Sequence, residues 1–374
     1  MITVPSRIQS LKPYKPGASV KDIQAEYGLS ELVKLASNEN PLGVSPLAQN
    51  AFKHSSFSVD MYPDGGATLC KELGAYFGKP ANQFIAANGS DALIHLILNT
   101  FLEPTDHLLS FEGTFVGLQV AAALYAKNVT FVPLDDMYEM NVDALIANIQ
   151  NNTKIIYVAN PNNPTGTYLT TSQVEKLIAA VPKHILLIID EAYFEFSQKL
   201  LGSAYPDSMN YENENIITLR TFSKIYGLAG LRIGYAFSHP SIIAALMKVK
   251  LSFDPNLIAQ EIAIAALHDS DFVERSSQLV SDEVPTMIAS LRLQGWKVPN
   301  SAGNFVMIDC ETPEMASEIY TALLSHGFIV RPLNGFGLPH CLRISIGLPE
   351  VNARIITSLQ SIRNQIVDST TEHV

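Results

Sequence analysis

The stretch TFSKIYGLAGLRIGY, residues 221–235, sets Lys224 between two apolar runs and Arg232 eight residues further on. A lysine in a loop is ordinarily a solvated surface residue. The other use of a lysine among buried strands is covalent. Burial and neighbouring charge can poise its amine near neutral pH, where it forms a Schiff base with a carbonyl carbon. Lys224 alone does not decide between the two.

Its neighbours narrow the choice. Asp190 closes HILLIID (184–190), and a charge ending a buried strand is costly unless paired. It is either a cap or ion-pair partner, or a carboxylate that keeps the ring nitrogen of pyridoxal phosphate protonated. Tyr193, three residues on, is either a core tyrosine or a hydrogen-bond donor to that ring's phenolic oxygen. Asn163, within NPNNPTG, is either a turn residue or a ligand of the same oxygen. Ser90 and Asp91 open a helix directly after a strand and Gly89. There Ser90 is either a simple N-cap or part of an anion site made by unbonded N–H groups and the helix dipole. Ser223 and Arg232 would complete a phosphate site, Arg232 through a bidentate contact.

These residues need a scaffold. Five short apolar runs, QFIAAN (83–88), KIIYVA (154–159), HILLIID, NIITLR (215–220) and RIGYAFS (232–238), alternate with helical stretches. That pattern predicts an α/β fold with a mostly parallel sheet covered on both faces. Ligands of such sheets sit at the carboxyl ends of the strands, where the residues above fall. Ser172 and Glu175 have capping-box spacing before the helix SQVEKLIAAV. A helical region over 240–270 breaks at Asp254–Pro255. The expected organisation is an arm over 1–30, a large domain over 31–255 and a smaller α+β domain over 256–374. Arg331 and Arg343 end apolar runs in the smaller domain, as surface arginines or as anion clamps facing the site.

Composition excludes several classes. Of 374 residues, 47% are hydrophobic and 16% charged, and the net charge is −11. That balance argues against nucleic acid or an anionic membrane as partner. No apolar run has the length of a membrane span, and the first residues lack a signal-peptide core. Three scattered cysteines (Cys70, Cys310, Cys341) indicate neither a disulfide framework nor a zinc site, and a cytoplasmic location is expected. The histidines show no ligand spacing, and no metal site is expected. Walker A, GxGxxG, HExxH, EF-hand and GxSxG patterns are absent.

NPNNPTG, DEAYFEF, TFSKIYGLAGLRIGY and LRISIG, in this order, resemble the fold-type I aminotransferases that use pyridoxal phosphate. LASNENPLGVSP (35–46), MYPDGG (61–66), LKPYKPG and FIVRPL make the chain similar to the histidinol-phosphate aminotransferase branch, over nearly its whole length. The resemblance implies that Lys224 bonds the cofactor and shuttles a proton, with Asp190 at the ring nitrogen and Tyr193 and Asn163 at the ring oxygen. It implies a phosphate held by Ser90, Asp91, Ser223 and Arg232, and a ring stacked on Phe115. Tyr62 would reach that phosphate from a second subunit of a homodimer. Tyr14, Asn40, Arg331 and Arg343 would face the substrate. The chain departs from this branch in EGTFVG (112–117), in LSFDPN (251–256) and at Ala92.

The implied reaction is a transamination between a small-molecule amino donor, glutamate, and a keto acceptor, imidazole-acetol phosphate, in histidine biosynthesis. An aromatic amino acid aminotransferase is the nearest rival. A threonine-phosphate decarboxylase-like lyase would use the same lysine and aspartate.

Overall fold

The computed structural model describes residues 2–4, 6–9 and 31–371. Tyr14 and most of the arm expected over 1–30 lie outside the described residues. After β1 (Val33–Lys34), seven strands form one sheet: β2 (Phe84–Ala87), β3 (His107–Phe111), β4 (Asn128–Val132), β5 (Thr153–Ala159), β6 (Leu186–Asp190), β7 (Ile216–Thr221) and β8 (Gly234–Ser238). Their order is β2-β8-β7-β6-β5-β3-β4. Only the pairs made by β8 are antiparallel.

Each central strand divides its side chains between two cores, as the two-residue period of a strand requires. Ile155, Tyr157 and Ile188 face Leu93, Ile97, Leu118 and Ile243, from helices Gly89–Phe101, Val116–Tyr125 and Pro240–Val249. Ile156, Leu187 and Ile189 face Leu145, Val174 and Leu177, from helices Val142–Ala147 and Thr171–Ala180.

Two strands are additions to the five expected. In β3 the apolar run is broken by His107 and Ser110, which satisfy themselves across the sheet. His107 bonds Thr153 and Thr130, and Ser110 Oγ donates to the Tyr157 carbonyl at 2.9 Å. β4 is an edge strand and mostly half-exposed, and its short run NVTFV is not among the five. The capping box is also displaced. Thr170, not Ser172, is the N-cap, and its backbone N–H donates to Gln173 Oε1 at 2.8 Å. Thr170 still has extended backbone geometry, whereas Ser172 already lies inside the helix.

Beyond residue 255 the chain forms helices Leu257–Leu267 and Ser270–Leu293 and then a three-stranded sheet. Its strands are β9 (Phe305–Asp309), β11 (Arg331–Pro332) and β12 (Cys341–Ser345), in the order β11-β12-β9. β10 (Phe328–Ile329) instead pairs in parallel with β1. The residues just before the large sheet are therefore stitched to the carboxyl-terminal part. A second tie is Tyr138, whose hydroxyl meets Asp309 Oδ2 at 2.7 Å and His340 Nε2 at 3.0 Å.

A buried ion pair lies under the end of the sheet. Arg220 on β7 reaches Glu191 Oε2 at 2.7 Å and Asp207 Oδ1 at 2.6 Å, and its guanidinium carbon lies 3.4 Å from the Phe194 ring centroid. Arg220 and Glu191 are almost fully buried. Breaking such a pair leaves a charge uncompensated. Arg220→Met should lower unfolding free energy by about 3–5 kcal/mol. A denaturant titration that finds a loss below ~1 kcal/mol would show the pair to be idle.

Candidate active site

The strand registers bring the anion-binding residues together. Gly234, the first residue of β8, lies opposite both Ala87 of β2 and Thr221 of β7. Ser90, three residues past Ala87, Ser223, two past Thr221, and Arg232, two before Gly234, must therefore meet at one edge. Helix Gly89–Phe101 starts there, so unbonded N–H groups and the positive end of the helix dipole face the same point. Arg232 has φ 53°, a left-handed conformation uncommon for an arginine. Its guanidinium lies 3.4 Å from Ser223 Oγ.

Two glycines make this approach possible. A β-carbon at Gly89 would fall 2.8 Å from Arg232 Nη2, and one at Gly234 would fall 2.7 Å from the Ser90 nitrogen. Asp91 Oδ1 is buried with no hydrogen-bond partner among the described residues. The result is a small cradle of backbone N–H groups, a hydroxyl and a guanidinium, whose chemistry fits a phosphate dianion.

A cavity opens beside this cradle. Ser90, Asp91, Phe115, Asn163, Asp190, Tyr193, Ser223, Lys224 and Arg232 line it, with Ala159, Pro161, Ala192 and Thr221. Nine residues singled out from the sequence thus share one wall. Asp190 ends β6 and is 5% exposed. Its Oδ2 accepts from the Tyr157 hydroxyl at 2.7 Å and its Oδ1 from the Ala192 N–H at 3.2 Å. Burial pushes its carboxyl up to about 6, although the Tyr157 hydrogen bond works in the opposite direction. A cationic ring nitrogen in the cavity would relieve that burial by keeping the carboxylate paired.

Lys224 is half-buried, and its Nζ donates to the Ser37 carbonyl at 2.9 Å. Burial, then the positive charge of Arg343, pushes its ammonium down to about 7. Near neutral pH much of the amine is therefore the nucleophilic, uncharged form. This makes a pH dependence testable. In cofactor-stripped protein, capture of an aldehyde at Lys224 should rise as pH passes about 7. An ordinary lysine would need roughly pH 10.4. Stopped-flow absorbance reads the rate, and a midpoint above ~9 would show that the cavity does not poise this amine.

Tyr193 is buried, and its hydroxyl accepts from Asn38 Nδ2 at 2.9 Å, which leaves its own proton to donate. Asn163 Oδ1 accepts from Arg343 Nη1, so the amide nitrogen is the end left to donate. Arg343 Nη2 also donates to the Ala36 carbonyl at 2.8 Å. Arg331 on β11 is the direct cross-strand partner of Arg343 on β12. Opposed residues of a ladder project from the same face, and two like charges there are unfavourable by ~0.2–1 kcal/mol. A bound anion would reverse that sign.

Other expected residues stand apart from the cavity wall. Asn40 donates to the Ile225 carbonyl at 2.7 Å and to Ser276 Oγ at 3.0 Å, so it braces the loop that follows Lys224. Tyr62 is 79% exposed and stacks on Phe253 at 4.3 Å between ring centroids. Asn38 and Tyr157 touch Tyr193 and Asp190 but were not singled out from the sequence. Tyr157 falls in an apolar run where it reads as core. Asn38 lies in LASNEN, and only folding shows where its amide points.

Comparison with known proteins gives one consistent answer. Residues 30–359 match the family model described as aminotransferase class I and II. A histidinol-phosphate aminotransferase of Anaeromyxobacter sp. is 38% identical over 97% of this chain and 99% of its own length. A histidinol-phosphate aminotransferase 2 of Legionella pneumophila (strain Lens) is 38% identical over 95% of this chain and 96% of its own. The solved structure of the Sinorhizobium meliloti histidinol-phosphate aminotransferase, in complex with pyridoxal-5'-phosphate, superposes with a TM-score of 0.84. It is 26% identical and covers 97% of this chain and 98% of its own.

Proposed function

The chain belongs to the class I and II aminotransferases, and from that premise we propose a transaminase dependent on pyridoxal phosphate. It moves an amino group between L-glutamate and imidazole-acetol phosphate, giving L-histidinol phosphate and 2-oxoglutarate in histidine biosynthesis. The observation that carries this is a lysine amine poised near pH 7 in one cavity with a buried carboxylate and an anion cradle. The substrate comes from the relatives' name and is supported by the opposed Arg331 and Arg343.

Pyridoxal phosphate, when bound, supplies an aldehyde carbon that takes up the amino group and a protonated ring that accepts the electron pair left at Cα. The chain's own residues do the rest. Ser90, Asp91, Ser223 and Arg232 hold the phosphate, and Phe115 packs on the ring. Asp190 holds the proton of the ring nitrogen. Tyr193 and Asn163 donate to the ring oxygen. Lys224 removes the proton from the substrate Cα and returns it on the acceptor side. Arg343 and Arg331 fix the substrate's anionic ends, Tyr14 is a further substrate contact, and Asn40 acts through the loop that it braces after Lys224. Because donor and acceptor use one site in turn, kinetics should be ping-pong.

The same reading makes the active unit a homodimer in the cytoplasm. Tyr62 and Phe253 form an exposed aromatic stack, and Met61 and Leu251 are exposed beside them in sequence. A surface of that kind suits a second copy of the chain. The departing segment LSFDPN contributes Phe253 to it. Sedimentation as a monomer at assay concentration would remove Tyr62 from the site. The chain is divided at 255/256 into a large cofactor-binding unit and a smaller unit, with the arm over 1–30; the seven-stranded and three-stranded sheets fall on either side of that boundary, while β1 and β10 pair across it. No described helix is long and apolar enough to cross a membrane.

The test is a substrate profile with 2-oxoglutarate as acceptor. kcat/KM for histidinol phosphate should exceed that for phenylalanine by at least ~100-fold, because a phosphate dianion makes stronger charge-assisted contacts with this pair of arginines than a single carboxylate does. A preference for phenylalanine would overturn the substrate, and carbon dioxide release without any keto acid would overturn the reaction type.

A further inference from the structure

Tyr157 sits in the middle of β5, the strand between β3 and β6. It is fully buried, and its ring packs among aliphatic side chains. A phenylalanine would fill that space equally well. A hydroxyl there is costly unless it is bonded, and the bond it makes is to a carboxylate. The register explains the reach. Tyr157 lies opposite Ile188 and Ala159 opposite Asp190, so Tyr157 and Asp190 project from the same face of adjacent strands, two residues apart. The phenol spans that diagonal to Asp190 Oδ2 at 2.7 Å.

We propose that Tyr157 is a positioning residue for the proposed reaction, acting through Asp190. Its hydroxyl donates to Asp190 Oδ2, keeps the carboxylate ionised and aims the remaining acceptor sites at the ring nitrogen of the cofactor. The inference rests on the pyridoxal phosphate reading above. Polarity supports it, since burial keeps the phenol protonated and a phenol facing a carboxylate can only donate. The backbone supports it too. The Tyr157 carbonyl accepts from Ser110 Oγ at 2.9 Å, and the strand is paired on both sides, so the hydroxyl has little freedom to move away. No other buried donor side chain is bonded to Asp190 among the described residues; its other bond comes from the Ala192 backbone.

The charged groups around Asp190 set the background for any titration. Asp91 approaches from helix Gly89–Phe101, and Glu191, itself paired with Arg220, adjoins on the same segment. Tyr193 follows on that segment, and Lys224 shares the cavity. Both acids oppose ionisation of Asp190, and the phenol offsets them.

The experiment measures the affinity of the cofactor-stripped protein for pyridoxal phosphate by equilibrium dialysis across pH 5.5–9. It is done in a Lys224→Ala background so that covalent capture does not contribute. Affinity should fall on the acid side as Asp190 takes up a proton. Adding Tyr157→Phe should move that acid limb up by about one pH unit, so affinity near its original midpoint drops ~5-fold, and ~10-fold well below it. With Asp190→Asn also present, Tyr157→Phe should change affinity less than ~2-fold, because the phenol then faces no charge. An unmoved acid limb, or equal losses in both backgrounds, would reduce Tyr157 to packing and overturn the proposal. Should Tyr157→Phe fail to fold, a difluorotyrosine at 157 is a stronger donor and should move the limb to lower pH. An unmoved limb in that variant would likewise overturn the proposal. If the Lys224→Ala parent and the unmutated chain bind no pyridoxal phosphate, the functional reading fails and this proposal falls with it.

Discussion

Lys224→Ala should abolish transamination, with turnover falling by at least ~10^4-fold. The single change removes two functions at once. One is covalent attachment by an amine that the cavity holds near its working pH. The other is the base at the substrate Cα, and general acid–base catalysis alone contributes roughly 10^2–10^4-fold. Alanine fits a position whose neighbours Ser223 and Ile225 stay anchored, so the fold should survive. The phosphate cradle of Ser90, Ser223 and Arg232 is untouched, and the variant should still bind pyridoxal phosphate. It should lack the visible absorption of the covalently held cofactor. Coupled assay of glutamate consumption gives the rate, and a spectrum of the dialysed protein gives the attachment. Persistence of either one would mean that another residue does this work.

Asp190→Asn should retain the cofactor and lose most of the rate, by about 10^2–10^3-fold, the loss typical of removing one electrostatic stabiliser in a dry site. The amide has nearly the same shape, and Tyr157 can still donate to its oxygen. What disappears is the negative charge that a protonated ring nitrogen needs beside it. Burial already pushes this carboxyl up to about 6, so the site tolerates the ion only with the phenol, the Ala192 N–H and a cation in the cavity to offset it. The rate loss should appear in kcat more than in KM, because the charge acts on the reacting carbon rather than on the substrate's anchors. Full activity in this variant would remove Asp190 from the reaction.

Much of the site was legible in the sequence. Chain order alone put Asp190, Ser223 and Lys224 just past apolar runs, and a parallel sheet gathers such positions at one edge. The joint pattern of NPNNPTG, DEAYFEF and the lysine segment pointed to the reaction class because each residue type has a distinct task there. Less legible were β3 and β4. His107 and Ser110 look polar in a linear reading, and only cross-strand bonding makes them core. The capping box slipped by two residues for a similar reason, since Thr170 and Ser172 are equivalent in type and the backbone geometry chooses between them.

What the sequence determined by itself is therefore chemistry of the short range: which side chains are available, on which element, and facing which edge. What only the tertiary structure decided is the company those side chains keep. Tyr157 becomes a donor to Asp190, Asn38 to Tyr193, and Arg343 to Asn163, across separations of 33, 155 and 180 residues. Arg331 and Arg343 become direct neighbours through an antiparallel register. The physical reason is that a hydrogen bond or an ion pair is decided within about 3 Å, while the chain's local pattern fixes only which face a residue turns to.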